Sequence, residues 1–259
     1  IEGQPRKTIL HAPKNGFFYV IDRISGRLIS AEPFTETTWA TRVDRETGRP
    51  VEVEGARYER GAATVSPTPL GAHNWHAMSF NPKTGLAYYP AMHLTATFTD
   101  QGIDTGTWRS TPWIGGFGVN GQFVTGSSRK DKQMASLQAW DPVRQRLAWE
   151  IPMAGLFNPG TLTTAGNLVF QGRVDGSLRA YAADTGQELW QHSLGLGISA
   201  PPVTYAVDGK QYVAILVGYG GGIAGLSCAF DLAAAGRGVK VVDPGRLARG
   251  TTARTGAHL

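Results

Sequence analysis

Three places in this 259-residue chain combine residue types that can do chemistry. Lys14 stands in a Pro-Lys-Asn-Gly turn just ahead of the apolar run FFYVI, so a sheet would carry its ammonium at its rim. A cation fixed there can stabilise negative charge on a bound group; taken by itself, it is also what an ordinary exposed turn lysine looks like. Asn74-Trp75 joins an amide, donor and acceptor at once, to an indole with an apolar face and one N–H. The pair suits a polar heterocycle. His73 and His76 flank it as His-x-x-His, but the context is strand-like and no third or fourth ligand stands nearby, so zinc is not expected. The third place is Gly220-x-Gly222-x-x-Gly225, preceded by YVAILV (212–217) and followed by an Ala-rich stretch and VKVVD (239–243). Strand, glycine turn, helix, strand and acid is the order of a dinucleotide-binding unit. Its glycines permit a tight turn and close approach of a pyrophosphate, and Asp243 stands where a ribose-binding acid is expected.

The elements that must position Lys14 and Asn74-Trp75 are short strands. Residues 137–149 (LQAWDPVRQRLAW) and 178–190 (LRAYAADTGQELW) align with an offset of 41, placing Trp190 over Trp149 and Gly186 over Gln145. A weaker copy, 18–30 (FYVIDRISGRLIS), keeps Asp22 and Gly26 in register and has Ser30 in place of the tryptophan. Each copy reads as strand, tight Asp-x-x-x-Gly turn and start of the next strand. A hairpin repeat of this length predicts propeller blades, with the recurring tryptophan packed between neighbours. Further strand–turn units occupy 78–89, 166–171 and 203–217, the last with a hairpin turn at Val207-Asp208-Gly209-Lys210. Residues 102–126, rich in Gly, Thr and Trp, read as a long loop. The expected fold is all-β: a four- to five-blade arc of a propeller over 1–219, with no helix. Only beyond it is a helix predicted, with Leu226, Ala229, Phe230 and Ala233 on one face.

Composition agrees with a turn-rich β protein: 34 glycines and only 17% charged residues. The net charge of +5 is mild and the arginines of 1–219 are scattered, which argues against nucleic-acid binding. Arg237, Lys240, Arg246, Arg249 and Arg254 make the tail basic, as a solvated end or a lure for phosphate. Cys228 is the sole cysteine, which excludes an internal disulfide and any CxxC site. No apolar run is long enough to span a membrane.

The segments HAPKNGFFYVIDR (11–23), GAHNWHAMSFNP (71–82) and GTLTTAGNLVFQ (160–171), with the tryptophan repeats, resemble the pyrroloquinoline-quinone (PQQ)-dependent alcohol dehydrogenases. That family builds eight-bladed propellers, and the resemblance covers about residues 7–219, in the later part of the propeller. It implies that Lys14 donates to the quinone oxygens and that Asn74 and Trp75 lie at PQQ. Ala77 departs from the proline common at its position. By the family's order the catalytic aspartate, the Ca²⁺ ligands, a disulfide of adjacent cysteines and the tryptophan stacked on the quinone precede the Lys14 segment. No catalytic base and no metal ligand are therefore expected among residues 1–259. The implied activity is oxidation of primary alcohols to aldehydes by hydride transfer to PQQ, in the periplasm, with a cytochrome c as electron acceptor. The chain is expected to be incomplete and inactive alone. A non-catalytic propeller binding module is one alternative; a flavin-dependent oxidoreductase represented only by a fragment is the other.

Residues 223–259 resemble the amino-terminal segment of FAD-dependent oxidoreductases of the D-amino-acid-oxidase type. That implies FAD only if a complete domain were present, and about forty residues leave both faces of such a sheet uncovered. Residues 212–217 cannot serve both an antiparallel blade and a parallel nucleotide-binding sheet. The expected organisation is a chimera, truncated at both ends: propeller over 1–219, flavoprotein segment over 220–259, with a join near 218–222.

Overall fold

The computed structural model describes residues 1, 3–57, 60–99, 106–107, 124–218 and 226–231, the backbone alone at 124–125 and 226–231. Among the described residues all regular structure is β, and no helix is long and apolar enough to cross a membrane. The strands are β1 (Thr8–His11), β2 (Phe17–Asp22), β3 (Leu28–Pro33), β4 (Ala40–Val43), β5 (Pro50–Glu52), β6 (Ala63–Val65), β7 (Ser79–Asn81), β8 (Leu86–Met92), β9 (Leu94–Phe98) and β10 (Val124–Ser127). There follow β11 (Ala135–Asp141), β12 (Arg146–Pro152), β13 (Thr161–Thr164), β14 (Leu168–Gly172), β15 (Ser177–Ala182), β16 (Glu188–Ser193), β17 (Val203–Val207), β18 (Lys210–Val217) and β19 (Leu226–Asp231).

The chain divides into two compact units. The first contains the meander β1-β2-β3, the hairpin β4-β5 and the sheet β10-β9-β6. Its core gathers Phe17, Ala31, Ala40 and Val43, with Trp39 edge-on to Phe17. The second contains the four-stranded sheets β12-β11-β8-β7 and β13-β14-β15-β16, then β17-β18-β19. Each four-stranded sheet has the strand count of a propeller blade. The inner strands β8 (LAYYPAM) and β11 (ASLQAWD) are buried throughout, while β12 and β16 are largely exposed.

One turn recurs. Asp22, Asp44 and Asn81 each accept, on their side-chain oxygen, the N–H two residues on, from Ile24, Glu46 and Lys83. The glycine four residues on, Gly26, Gly48 or Gly85, closes the turn by donating to the carbonyl of that first residue. These glycines hold φ of +73°, +70° and +71°, a region favouring residues without Cβ. In the 178–190 copy Ala182 takes the aspartate's place and the backbone bond from Gly186 remains. The device thus also serves 44–48 and 81–85. The hairpin turn at Asp208-Gly209 has φ of +48° and +75°, the two left-handed residues of a type I′ turn.

The repeat tryptophans lie between sheets. Trp149 of β12 packs on Tyr88, Ala139, Val169 and Ala183, and its Nε1 donates to Ala183 O at 3.0 Å. The ring crosses the next repeat's turn, where a Cβ on Gly186 would come within 2.8 Å of it. Trp190 packs against Leu178, Ile198, Ile215 and Val217, and against Phe170, Ala180 and Val213. In the 18–30 copy Ser30 meets Gln145, the residue at the glycine position, whose Nε2 donates to Ser30 Oγ at 2.7 Å. Tryptophan meets glycine and serine meets glutamine, so the larger docking residue faces the smaller turn residue. Arg173, 6% exposed, straps the two four-stranded sheets by donating to Tyr181 OH at 2.6 Å and Pro152 O at 3.3 Å.

Two expectations are corrected. Residues 124–126, read as loop, open β10, because VTGS pairs in register with β9 from Thr97 to Leu94; the expectation for residues 108–123 lies outside the described residues. Residues 226–231, read as helix, form β19, antiparallel to β18 from Val217↔Leu226 to Tyr212↔Asp231. The open edge of β18 supplies a row of N–H and C=O groups that outweighs helical periodicity in so short a segment.

Gly186→Ala should destabilise the chain by about 1–3 kcal/mol in chemical denaturation, since its Cβ meets an indole at a positive φ; Gly26→Ala, with open space around it, should cost less. The carboxyls of Asp22 and Asp44 are held below the usual 3.8, chiefly by N–H donors from Ser25 and Ile24 and from Thr47. Their contribution to stability is therefore full above 3.8 and is lost as pH falls through the depressed folded values. A ¹³C-carboxyl NMR titration should find both ionising below the exposed aspartates.

Candidate cofactor site

Lys14 lies in the turn between β1 and β2, exposed to solvent. Two loops from distant parts of the first unit, 12–15 and 68–74, are locked together around it. Lys14 O accepts the N–H of Ala72 at 2.9 Å, and Ala72 O accepts that of Met92 at 2.6 Å. The buried His73 ring sets its Nδ1 2.6 Å from Ala12 O, so Nδ1 carries the hydrogen, a carbonyl being an acceptor only. Asn15 is fixed as well: its carbonyl accepts from Trp39 Nε1 at 3.0 Å, and its amide donates to Tyr19 OH at 2.7 Å. Burial raises the Tyr19 hydroxyl's pKa, with the Asn15 bond opposing.

Gly71 cradles the lysine stem. At φ +89°, a Cβ there would come within 2.5 Å of Lys14 Cγ and 2.9 Å of His73 O. The aliphatic chain therefore lies on bare backbone, and Nζ reaches Pro69 O at 3.3 Å. Asn74 closes the second loop by donating from Nδ2 to Leu70 O at 2.9 Å. This bond uses one of the two amide hydrogens.

Trp75 opens the second unit and is 63% exposed. One face of its indole lies on the ring of His76, with centroids 4.2 Å apart and planes at 26°. His76 is 4% exposed and has Phe157 at 6.0 Å. The backbone beneath is clamped: Thr161 N donates to Ala77 O at 2.9 Å, and Gly160 approaches so closely that a Cβ would sit 2.5 Å from Ala77 N and O.

The structure thus brings Lys14 and Asn74 onto one locked pair of loops, with Trp75 following Asn74 in the chain. Sequence reasoning missed Gly71, Gly160 and Phe157. Gly71 stood inside the GAHNWH segment, and its own signal was a glycine where no turn had been expected. Gly220, Gly222, Gly225 and Asp243 lie outside the described residues. The strand before them, β18, pairs antiparallel with β17 and β19.

The ammonium of Lys14 and the amide of Asn74, both on the locked loops of the first unit, have the chemistry to bind a polar anion. Residues 111–213 match the family model for the PQQ glucose/ethanol/alcohol dehydrogenase β-propeller domain. The quinohemoprotein alcohol dehydrogenase ADH IIB of Pseudomonas putida is 49% identical over 225 residues, 85% of this chain and 31% of that protein. The crystal structure of quinohemoprotein alcohol dehydrogenase from Comamonas testosteroni superposes with a TM-score of 0.73 at 45% identity, covering 85% of this chain and 33% of that one. The chain carries part of the β-propeller of the PQQ-dependent alcohol dehydrogenases. It spans about a third of the length of these relatives. The 1-butanol dehydrogenase (cytochrome c) of Thauera butanivorans is 45% identical over 85% of this quinoprotein segment and 32% of its own length. Residues 219–259 match a different family model, FAD dependent oxidoreductase.

In this propeller segment, Gly71→Ala should lower stability by about 1–3 kcal/mol, because the new methyl displaces the Lys14 stem as well as straining the backbone. Gly55→Ala, also at positive φ but with nothing within 4 Å, separates the two effects: equal losses in denaturation would mean that the cradle contributes nothing.

Proposed function

We propose that this chain supplies part of the cofactor wall of a PQQ-dependent dehydrogenase that oxidises primary alcohols to aldehydes. The observation that carries the reading is the locked loop pair, which fixes Lys14 on Gly71 and Asn74 on Leu70. When bound, PQQ supplies the hydride acceptor for the alcohol carbon. Lys14 then donates to the quinone oxygens and stabilises the charge that gathers on them. Asn74 offers its amide to the heterocycle, and Trp75 its open indole face. Ca²⁺ and a carboxylate base, which the family uses, are assigned to no residue of this chain. A cytochrome c as electron acceptor and a periplasmic setting complete the reading; the printed name of the Thauera relative supports the former.

The two family matches, one ending at 213 and the other starting at 219, support a chimeric join near 218–222. The antiparallel pairing of β18 gives no support to a parallel FAD-binding sheet. A single long DNA read across the locus checks this: one continuous frame joining a whole propeller to a whole flavin domain would refute a join of unrelated fragments.

The chain should bind PQQ, followed by quenching of tryptophan fluorescence, without alcohol-dependent dye reduction when PQQ, Ca²⁺ and ethanol are added. Lys14→Met should weaken that binding by about tenfold or more, the usual cost of a charge-assisted hydrogen bond. No PQQ binding would favour a non-catalytic propeller module; dye reduction by the chain alone would show that a base lies within it.

A further inference from the structure

We infer that His76 is a positioning residue whose imidazole sets the plane of the Trp75 indole for the quinone. The inference rests on the reading of Trp75 as a cofactor contact. An indole that is 63% exposed has no packing shell to choose its rotamer. Here its inner face has one aromatic contact of short range, the His76 ring at 4.2 Å and 26°. That ring is in turn held by its burial. It is 4% exposed, it is backed by Phe157 at 6.0 Å and 32°, and its chain runs straight into the Ala77 backbone held by Gly160 and Thr161. Order therefore passes outward from a glycine-tight backbone contact, through a buried imidazole, to the exposed indole. The arrangement leaves the outer indole face open, which is the face a flat heterocycle needs. Pre-setting that plane reduces the ordering cost on binding.

The test uses the whole chain labelled with ¹⁵N at tryptophan, the Trp75 indole signal being identified by its loss in Trp75→Phe. In the wild type the Trp75 indole N–H should be nearly as ordered as strand backbone, with an order parameter of about 0.8. It should fall clearly in His76→Ala and be retained in His76→Phe, which keeps an aromatic platform without the imidazole. PQQ titration should follow suit, with affinity about threefold to tenfold weaker in His76→Ala and restored in His76→Phe. Unchanged indole order in His76→Ala overturns the inference, as does equal loss in both variants. If His76→Ala does not fold, Phe157→Leu removes the backing ring from the far side and should loosen the same signal; an unchanged signal overturns the inference there too. Failure of the wild type to bind PQQ counts against the cofactor reading alone, because the indole order is measured without ligand.

Discussion

The contact on which the blade structure depends is that of Trp149 with the turn of the following repeat. An indole lying across Gly186, with its N–H on Ala183 O, ties the outer part of one sheet to the loop of the next. The ladders of each sheet satisfy their own backbone groups, but they do not determine how successive sheets stack. That task falls to side chains, and one large ring per repeat accomplishes it with apolar area and a directed hydrogen bond. The constraint acts on two positions at once. Where the turn residue is glycine, the docking residue is tryptophan; where it is Gln145, with its positive φ of 51°, the docking residue shrinks to Ser30. The docking residue is large where the turn residue is small, and small where it is larger.

With the sheets held, their connecting turns become rigid enough to carry chemistry. The same logic of bare backbone recurs at the site. Gly71 admits the Lys14 stem, and Gly160 admits the backbone under His76. In each case the absence of a Cβ lets two segments distant in sequence approach within van der Waals contact, and backbone hydrogen bonds lock them there. The exposed Lys14 and Trp75 are thus the outermost members of stacks whose inner members are buried. Such packing is the kind that preorganises an exposed side chain, because its inner neighbours limit the positions open to it.

The strands were largely legible in the sequence because their period is local. The apolar run FFYVI, the alternation in VTYAV, the Asp-Gly turn at 208–209 and the Asp-x-x-x-Gly turns all depend on neighbours a few residues apart. The turn at 44–48 escaped notice because its flanking strands are short and no tryptophan follows it. The apolar spacing of residues 226–231 satisfied a helix and a strand equally, and the strand edge offered by β18 decided between them. Tertiary pairing outweighs propensity when a segment is six residues long.

At the site, the residue types of Lys14, Asn74 and Trp75 were readable as a cation, an amide and an aromatic face, and two of the three stood in one short segment. That alone determined what chemistry the chain offers, since hydrogen-bonding capacity and charge belong to the side chains themselves. Only the tertiary structure decided that loops 12–15 and 68–74 meet, that Gly71 holds the lysine stem and that His76 lies beneath Trp75. The first two relations join residues about sixty positions apart, and the third depends on side-chain packing, so no pattern along the chain records them. Identity is a property of the sequence, whereas proximity is a property of the packing that sequence produces.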